Sequence, residues 1–201
     1  MIVLGITGAI ASGKTTVAAV FAEAGIPVFN ADAAVHDIYA REPESIARVL
    51  PEAVVDGSID RVRLAGLIAD RPETIGILEK AIHPLVQARE LAFIEMHRDA
   101  GADLVVLEIP LLYETGADRL CDYVLVATAP EELRAARVAE RGRMSPELYR
   151  QLMARQLPLA EKERRADFVV DSGVELGALQ ASTRAIMDRL RHRTDTDRSN
   201  A

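Results

Sequence analysis

Gly8-Ala9-Ile10-Ala11-Ser12-Gly13-Lys14-Thr15 fits the pattern Gly-x-x-x-x-Gly-Lys-Ser/Thr and directly follows the apolar run Ile2-Val3-Leu4-Gly5-Ile6. Where a chain leaves a buried strand and turns sharply into a helix, small residues let successive backbone N–H groups converge on one phosphate. Lys14 adds a mobile positive charge for β- and γ-phosphates, and the Thr15 hydroxyl is placed to ligate Mg²⁺. The chemistry read from these residues is phosphate binding in the service of phosphoryl transfer. A plain glycine turn with a surface lysine would not need the preceding strand.

Phosphoryl transfer needs a cradle for the donor, charge neutralisation in the transition state and an oriented nucleophile. For the last, Asp32 stands two residues beyond the short apolar run Ile26-Pro27-Val28-Phe29. A carboxylate there can face the transferred group and accept a hydroxyl proton; it can equally be the N-cap of a helix starting near Ala33, and the two roles are compatible. Glu108 closes the run Leu104-Val105-Val106-Leu107, as the acidic residue of a Walker-B-like strand does, and is read as holding Mg²⁺ directly or through water. Arg134, Arg137 and Arg141 recur at helical spacing, with Arg143 and Arg155 following around Gly142. That set suits a mobile lid closing over a triphosphate, although each arginine taken singly fits a solvated face paired with Glu131, Glu132 or Glu140. His83 precedes Pro84 and marks a break in a helical region, serving either as a cap or kink or as a polar contact to a ligand.

The elements that must position these groups alternate. Strand, loop, helix to Gly25 and a second strand make a βαβ unit, whose parallel strands bind ligands at their carboxyl ends. Residues 33 to 101 read as helical, broken by Pro43, Pro51, the turn Asp56-Gly57-Ser58, Pro72 and His83-Pro84, without an obvious strand of a parallel sheet. This stretch is expected to be a separate substrate-binding lobe, the alternative being ordinary crossover helices. Further strands are expected at Leu104–Leu107, Tyr123–Val126 and Phe168–Val170, then a closing amphipathic helix from Glu175 to Arg191 and a polar, frayed tail from Thr194.

Composition narrows the class. The 201 residues, 49% hydrophobic and 27% charged, suffice for one sizeable core plus an insertion, and predict a soluble globular protein. The single cysteine, Cys121, excludes an intrachain disulfide and a zinc cluster and reads as a buried thiol at a strand edge. A formal net charge of −7 and 4% aromatic residues, without Trp, argue against a nucleic-acid surface. The start of the chain carries no basic segment or long apolar stretch, so neither a secretory signal nor a membrane span is expected, and the protein is expected to be cytoplasmic.

Several separated pieces together resemble one family. They are Gly5-Ile6-Thr7-Gly8 leading into Ser12-Gly13-Lys14-Thr15, Asn30-Ala31-Asp32, His83-Pro84, Pro110-Leu111-Leu112-Tyr113-Glu114, Arg137 with Arg141, Arg155-Gln156, and Ala166-Asp167-Phe168-Val169-Val170-Asp171. In this order, from Ile2 to about Arg191, the chain resembles dephospho-coenzyme A kinases, which phosphorylate the ribose 3′-hydroxyl of dephospho-CoA in the last step of CoA synthesis. The resemblance implies a P-loop NTPase fold of the nucleotide-kinase-like α/β type, with a five-stranded parallel sheet flanked by helices. Residues 1–32, 102–130 and 166–192 would form the nucleotide-binding core, 33–101 a helical acceptor-binding insertion, 131–165 an arginine-rich lid and 193–201 a flexible tail.

The resemblance further implies that Gly8 and the stretch Ala11, Ser12, Gly13, Lys14, Thr15 and Thr16 wrap the phosphates of ATP, joined by Arg137, Arg141 and Arg155. Asp32 would be the general base, with Lys14 and Arg141 assisting transfer, and Thr15 and Glu108 would serve Mg²⁺. Thr7, Asp32, His83, Leu111, Leu112, Tyr113 and Glu114 would shape the acceptor site. Dephospho-CoA would be the partner, with no nucleic acid or membrane involved. Three positions depart from the family's usual pattern: Asn30 stands for the first Asp of a pair, Ala11 for a frequent Gly, and Glu108 for a common Asp. Ala11 must then avoid a positive φ or bear its strain. Two rival readings remain in view. One is a nucleoside or nucleotide kinase, which would not need the long insertion. The other is a nucleotide-dependent switch, and the Asn-Lys-x-Asp motif of guanine-specific switches is missing from the sequence.

Overall fold

Ile2–Thr7 forms β1, buried along its whole length as a continuous apolar run in the middle of a parallel sheet should be. The computed structural model describes residues 1–71, 73–142 and 145–199. The main sheet has five strands in the order β2-β5-β1-β6-β7, with β2 at Val28–Asn30, β5 at Leu104–Glu108, β6 at Tyr123–Thr128 and β7 at Phe168–Asp171. The pairings of β1 with β5, β1 with β6 and β6 with β7 are parallel. In this register Ile6 lies beside Glu108 and Thr7 beside Val126, while Ile109 N–H donates to the Ile6 carbonyl at 3.0 Å. The carboxyl ends of the central strands are therefore level, as in sheets that bind ligands there.

The chain divides into two compact units, one made of Met1–Phe29 with Ile94–Ala201 and the other of Asn30–Phe93. In the first, α1 (Lys14–Glu23) buries Val17, Ala18, Val20 and Phe21, and α10 (Leu176–Ser199) buries Leu179, Thr183, Ile186, Met187 and Leu190 at helical spacing. Val17, Phe21, Leu179, Ile186, Met187 and Leu190 of these helices join Leu4, Ile6, Val106, Leu125, Phe168 and Val170 in one apolar core. The closing helix thus continues to Ser199, past the Arg191 boundary expected from the sequence, while Asn200 and Ala201 lie outside the described residues. The same unit holds the short α6 (Leu112–Thr115), then α7 (Glu131–Arg141), α8 (Pro146–Ala154) and α9 (Leu159–Arg165). Cys121 is half-buried rather than buried, one turn before β6.

The second unit contains α2 (Ala31–Arg41), α3 (Pro43–Ala47), a hairpin of β3 (Val54–Val55) and β4 (Ser58–Ile59), and α4 (Arg61–Asp70). It also takes in most of α5 (Thr74–Asp99). The hairpin pairs antiparallel around Asp56 and Gly57, both at positive φ (49° and 74°), which is why a short polar residue and a glycine occupy the turn. Arg89 stitches α5 to α2, its guanidinium reaching Asp37 at 2.6 Å and Glu42 at 2.5 Å. One expectation is corrected: α5 runs through His83 and Pro84 without ending. Proline removes one backbone donor, and the buried stripe Leu78, Ile82, Val86, Glu90 and Ile94 carries the helix across it. Pro72, also read as a breaker, lies outside the described residues.

Candidate active site

The loop after β1 is built by three unusual backbone positions. Gly8 has φ 152°, and a Cβ there would stand 2.3 Å from the Ala127 carbonyl oxygen and 2.4 Å from Ser12 Oγ. Gly13, at φ 84°, would drive a Cβ to 2.6 Å from Ser172 Cβ. Neither position admits another residue. Ala11 adopts φ 60°, so the strain that a glycine would avoid is borne here by an alanine. Gly13 is also the N-cap of α1 and offers no side chain to its first-turn N–H groups, which leaves the helix end suited to an anion.

Lys14 arches back over this loop, donating from Nζ to the carbonyls of Gly8 (3.2 Å) and Ala9 (2.9 Å). Thr15 Oγ1 donates to Glu108 Oε1 at 2.7 Å. Thr16 is exposed on α1. A hydroxyl in the first turn of α1 and a carboxylate at the end of β5, in contact, are hard oxygen donors of the kind Mg²⁺ prefers. No group of three or more His, Cys, Asp or Glu suited to a metal exists among the described residues.

Arg137 is tied to the loop from the side. Its Nη1 donates to the Ala11 carbonyl (3.1 Å) and to Ser172 Oγ (2.9 Å), and its Nη2 donates to the Ser172 carbonyl (2.6 Å). Ser172 Oγ in turn donates to the Ser12 carbonyl at 2.8 Å. The buried Ser172 therefore joins the turn after β7 to the phosphate loop. The helical spacing grouped Arg134 with Arg137 and Arg141, but Arg134 is buried. Its Nε donates to the Ala129 carbonyl at 3.1 Å and Nη1 lies 3.8 Å from Met153 Sδ. Long side chains on a helix lean toward its N-terminus, which takes Arg134 back over the first turn of α7. Arg141 is exposed at the last position of α7, before the Gly142 cap at φ 60°, and Arg155 is exposed at the end of α8. Arg143 lies outside the described residues.

The segment after β5 carries a second buried network. The Pro110 carbonyl accepts from Thr7 Oγ1 at 3.1 Å and from Lys162 Nζ at 3.0 Å. Glu114 Oε1 accepts from Lys162 Nζ at 2.9 Å and from Leu157 N–H at 2.8 Å. Lys162 is completely buried, and burial pushes its pKa below the ordinary lysine value, an effect that the Glu114 carboxylate opposes. Leu112 packs beneath β1 against Gly5, and the Leu111 carbonyl accepts from Thr115 N–H at 2.9 Å. Tyr113 turns elsewhere. Arg165 sits 3.9 Å over its ring, its hydroxyl is buried with no hydrogen-bond partner among the described residues, and burial raises the phenol pKa to about 12.

Asp32 and His83 belong to the second unit. The Asn30 side chain accepts from Ala33 N–H at 2.8 Å and is therefore the cap of α2. This corrects the reading of Asp32 as the cap: Asp32 is exposed in the first helical turn, with its carboxylate not spent on capping. His83 is exposed on α5.

Two residues of these networks escape the sequence reading. Ser172 sits in Asp171-Ser172-Gly173, which reads only as a turn. Lys162 sits in the run Glu161-Lys162-Glu163-Arg164-Arg165, which looks like a solvated helix face.

The chain has relatives of a known family. A family model described as dephospho-CoA kinase matches residues 2–176. A dephospho-CoA kinase of Mesorhizobium japonicum is 45% identical over 192 residues, which cover 95% of this chain and 98% of that protein. A crystal structure from Thermus thermophilus is similar with a TM-score of 0.77 and 39% identity, covering 94% of this chain and 97% of the other. A dephospho-CoA kinase structure from Campylobacter jejuni, 22% identical over 94% of this chain and 96% of its own, shares the fold with a TM-score of 0.65. With its phosphate loop, parallel sheet and sequence in agreement, the chain belongs to the dephospho-CoA kinase family, the enzymes of the final step of coenzyme A biosynthesis.

Proposed function

We propose that the chain moves the γ-phosphoryl group of ATP to the ribose 3′-hydroxyl of 3′-dephospho-CoA, giving CoA and ADP, with Mg²⁺ held at Thr15 and Glu108. The observation that carries this reading is the 2.7 Å contact between Thr15 Oγ1 and Glu108 Oε1 beside a loop whose lysine already spans it. When bound, the metal neutralises charge on the donor phosphates and fixes their orientation. The loop amides from Ala11 to Thr16 bind the donor phosphates, and Lys14 leaves the Gly8 and Ala9 carbonyls for the β- and γ-phosphates. Asp32 accepts the 3′-hydroxyl proton as the oxygen attacks phosphorus, a role supported by its exposure and by Asn30 capping α2 in its place.

In this reading residues 33–101 bind the acceptor, with His83 among its contacts, and Leu111 to Glu114 form its wall. Residues 131–165 act as the lid. Arg141 and Arg155, both exposed, are the arginines placed to reach a triphosphate, and closure excludes the water that would otherwise hydrolyse ATP. Arg137 serves the donor site through the loop backbone it holds. Among the described residues no helix is long and apolar enough to cross a membrane. The acidic net charge supports the reading of a cytoplasmic enzyme that does not act on nucleic acid.

The test is ADP release from ATP and Mg²⁺ with dephospho-CoA, run beside adenosine, AMP and CMP, with the product identified by mass. A phosphate added to dephospho-CoA and not to the other three is the expected result. Equal or better transfer to a nucleoside or nucleotide would overturn the acceptor assignment.

A further inference from the structure

Lys162 is the one ammonium in the first unit that is completely buried, among the described residues. Burying a charged pair seldom adds stability, and an apolar side chain of similar volume would fill the same space at no desolvation cost. What an apolar side chain cannot do is hold two oxygens at fixed positions. Lys162 Nζ donates to the Pro110 carbonyl at 3.0 Å and to Glu114 Oε1 at 2.9 Å.

The Pro110 carbonyl also takes the hydroxyl of Thr7, the residue directly before Gly8 of the phosphate loop. Pro110 follows Glu108 by two residues, so this carbonyl fixes the backbone that carries the Mg²⁺ carboxylate. Glu114 Oε1 holds Leu157 N–H as well, in the link between α8 and α9. The helix that presents Lys162 is anchored independently, since Glu163 Oε1 accepts from Thr128 Oγ1 at 2.5 Å at the end of β6. A single ammonium thus ties together the start of the phosphate loop, the segment 108–114 and, through Glu114, the link between α8 and α9.

We infer that Lys162 is a positioning residue for phosphoryl transfer: through the Pro110 carbonyl and Glu114 it fixes the backbone bearing Glu108 and the link between α8 and α9. Donor affinity, which rests on the loop amides and Lys14, does not depend on it. The inference rests on the kinase reading given above, and its test separates the two.

The variants are Lys162→Met, Glu114→Gln and the double variant, each measured for thermal midpoint, ATP dissociation constant and kcat with dephospho-CoA. Lys162→Met alone leaves the half-buried Glu114 carboxylate without its cation and is expected to lower the midpoint. The double variant removes both charges and is expected to regain most of it. In that refolded background kcat is expected to remain at least tenfold below wild type, with the ATP dissociation constant within about threefold, the range of a residue that shapes geometry rather than binding. A double variant with wild-type midpoint and wild-type kcat would reduce the pair to packing and overturn the inference. So would a loss confined to ATP affinity. If the wild-type chain transferred phosphate to a different acceptor, the acceptor assignment would fail. The same three variants assayed with that acceptor would still decide the role of Lys162.

Discussion

Thr15 Oγ1 and Glu108 Oε1 lie 2.7 Å apart although 93 positions separate them in sequence. Adjacent parallel strands bring them together, because the register that sets Ile6 beside Glu108 leaves the loop and its helix above the end of β5. The pair predicts a metal phenotype. Thr15→Val should raise the Mg²⁺ concentration for half-maximal activity by about tenfold, and Glu108→Gln should lower kcat by ~10²-fold or more, as loss of one oxygen ligand does at a site completed by phosphates. Mg²⁺ titrations at saturating ATP check this; an unchanged Mg²⁺ dependence in both variants would remove the pair from metal binding.

Lys14 and Asp32 should fail differently. Lys14→Ala removes the charge placed for the donor phosphates and should abolish ATP binding or transfer. Asp32→Asn should leave ATP affinity intact while turnover falls by ~10²- to 10⁴-fold, the usual contribution of a general base. Calorimetric ATP binding beside steady-state rates distinguishes them, and undiminished turnover in Asp32→Asn would end the general-base assignment.

Ala11 at φ 60° predicts a stabilising substitution. A left-handed alanine costs ~1–2 kcal/mol, part of which glycine returns through its greater freedom in the unfolded chain, so Ala11→Gly should gain up to about 1 kcal/mol. Thermal unfolding measures the gain; no change or a loss would mean that the loop does not bear this strain.

Tyr113 has a buried hydroxyl without a partner among the described residues and a phenol whose pKa burial raises from 10.0 to about 12. The folded state favours the neutral phenol, so its contribution to stability is complete below pH 10 and is lost as pH rises from about 10 through about 12. Tyr113→Phe should flatten that part of the stability profile and, by deleting an unsatisfied polar atom, should not destabilise the protein at neutral pH. Denaturant titrations across the alkaline range check both; an equally steep alkaline loss in the variant would locate the titrating group elsewhere.

The parts of this architecture that are local in sequence were legible in it. A strand, a glycine-rich turn and a helix with Lys14 and Thr15 at its start lie within one short stretch, and Leu104 to Glu108 declares a buried strand ending in a carboxylate. All five parallel strands follow from such apolar runs. The rest depends on partners far along the chain. Lys162 sits in a charged pentad indistinguishable from a solvated face until Pro110 and Glu114 are folded over it. Arg134 shares the spacing of Arg137 and Arg141, yet its side chain leans back to Ala129. His83-Pro84 carries a strong local break signal that the packing of α5 overrides. Asn30, noted as a departure from the usual Asp, keeps the capping chemistry of the residue it stands for.

The position of β1 bears on how the protein is made. It precedes the other strands of its sheet in the chain, but its sheet neighbours are β5 and β6, drawn from residues 104–108 and 123–126. The loop it carries is fastened by Ser172, near the end of the chain. During synthesis the nucleotide cradle therefore exists as sequence long before it exists as shape, and a nascent chain cannot close it on ATP until the turn after β7 has emerged. Such non-local closure slows folding and leaves the apolar first strand exposed in the meantime. The nucleotide cradle is thus translated well before the residue that fastens it, 160 positions further along the chain.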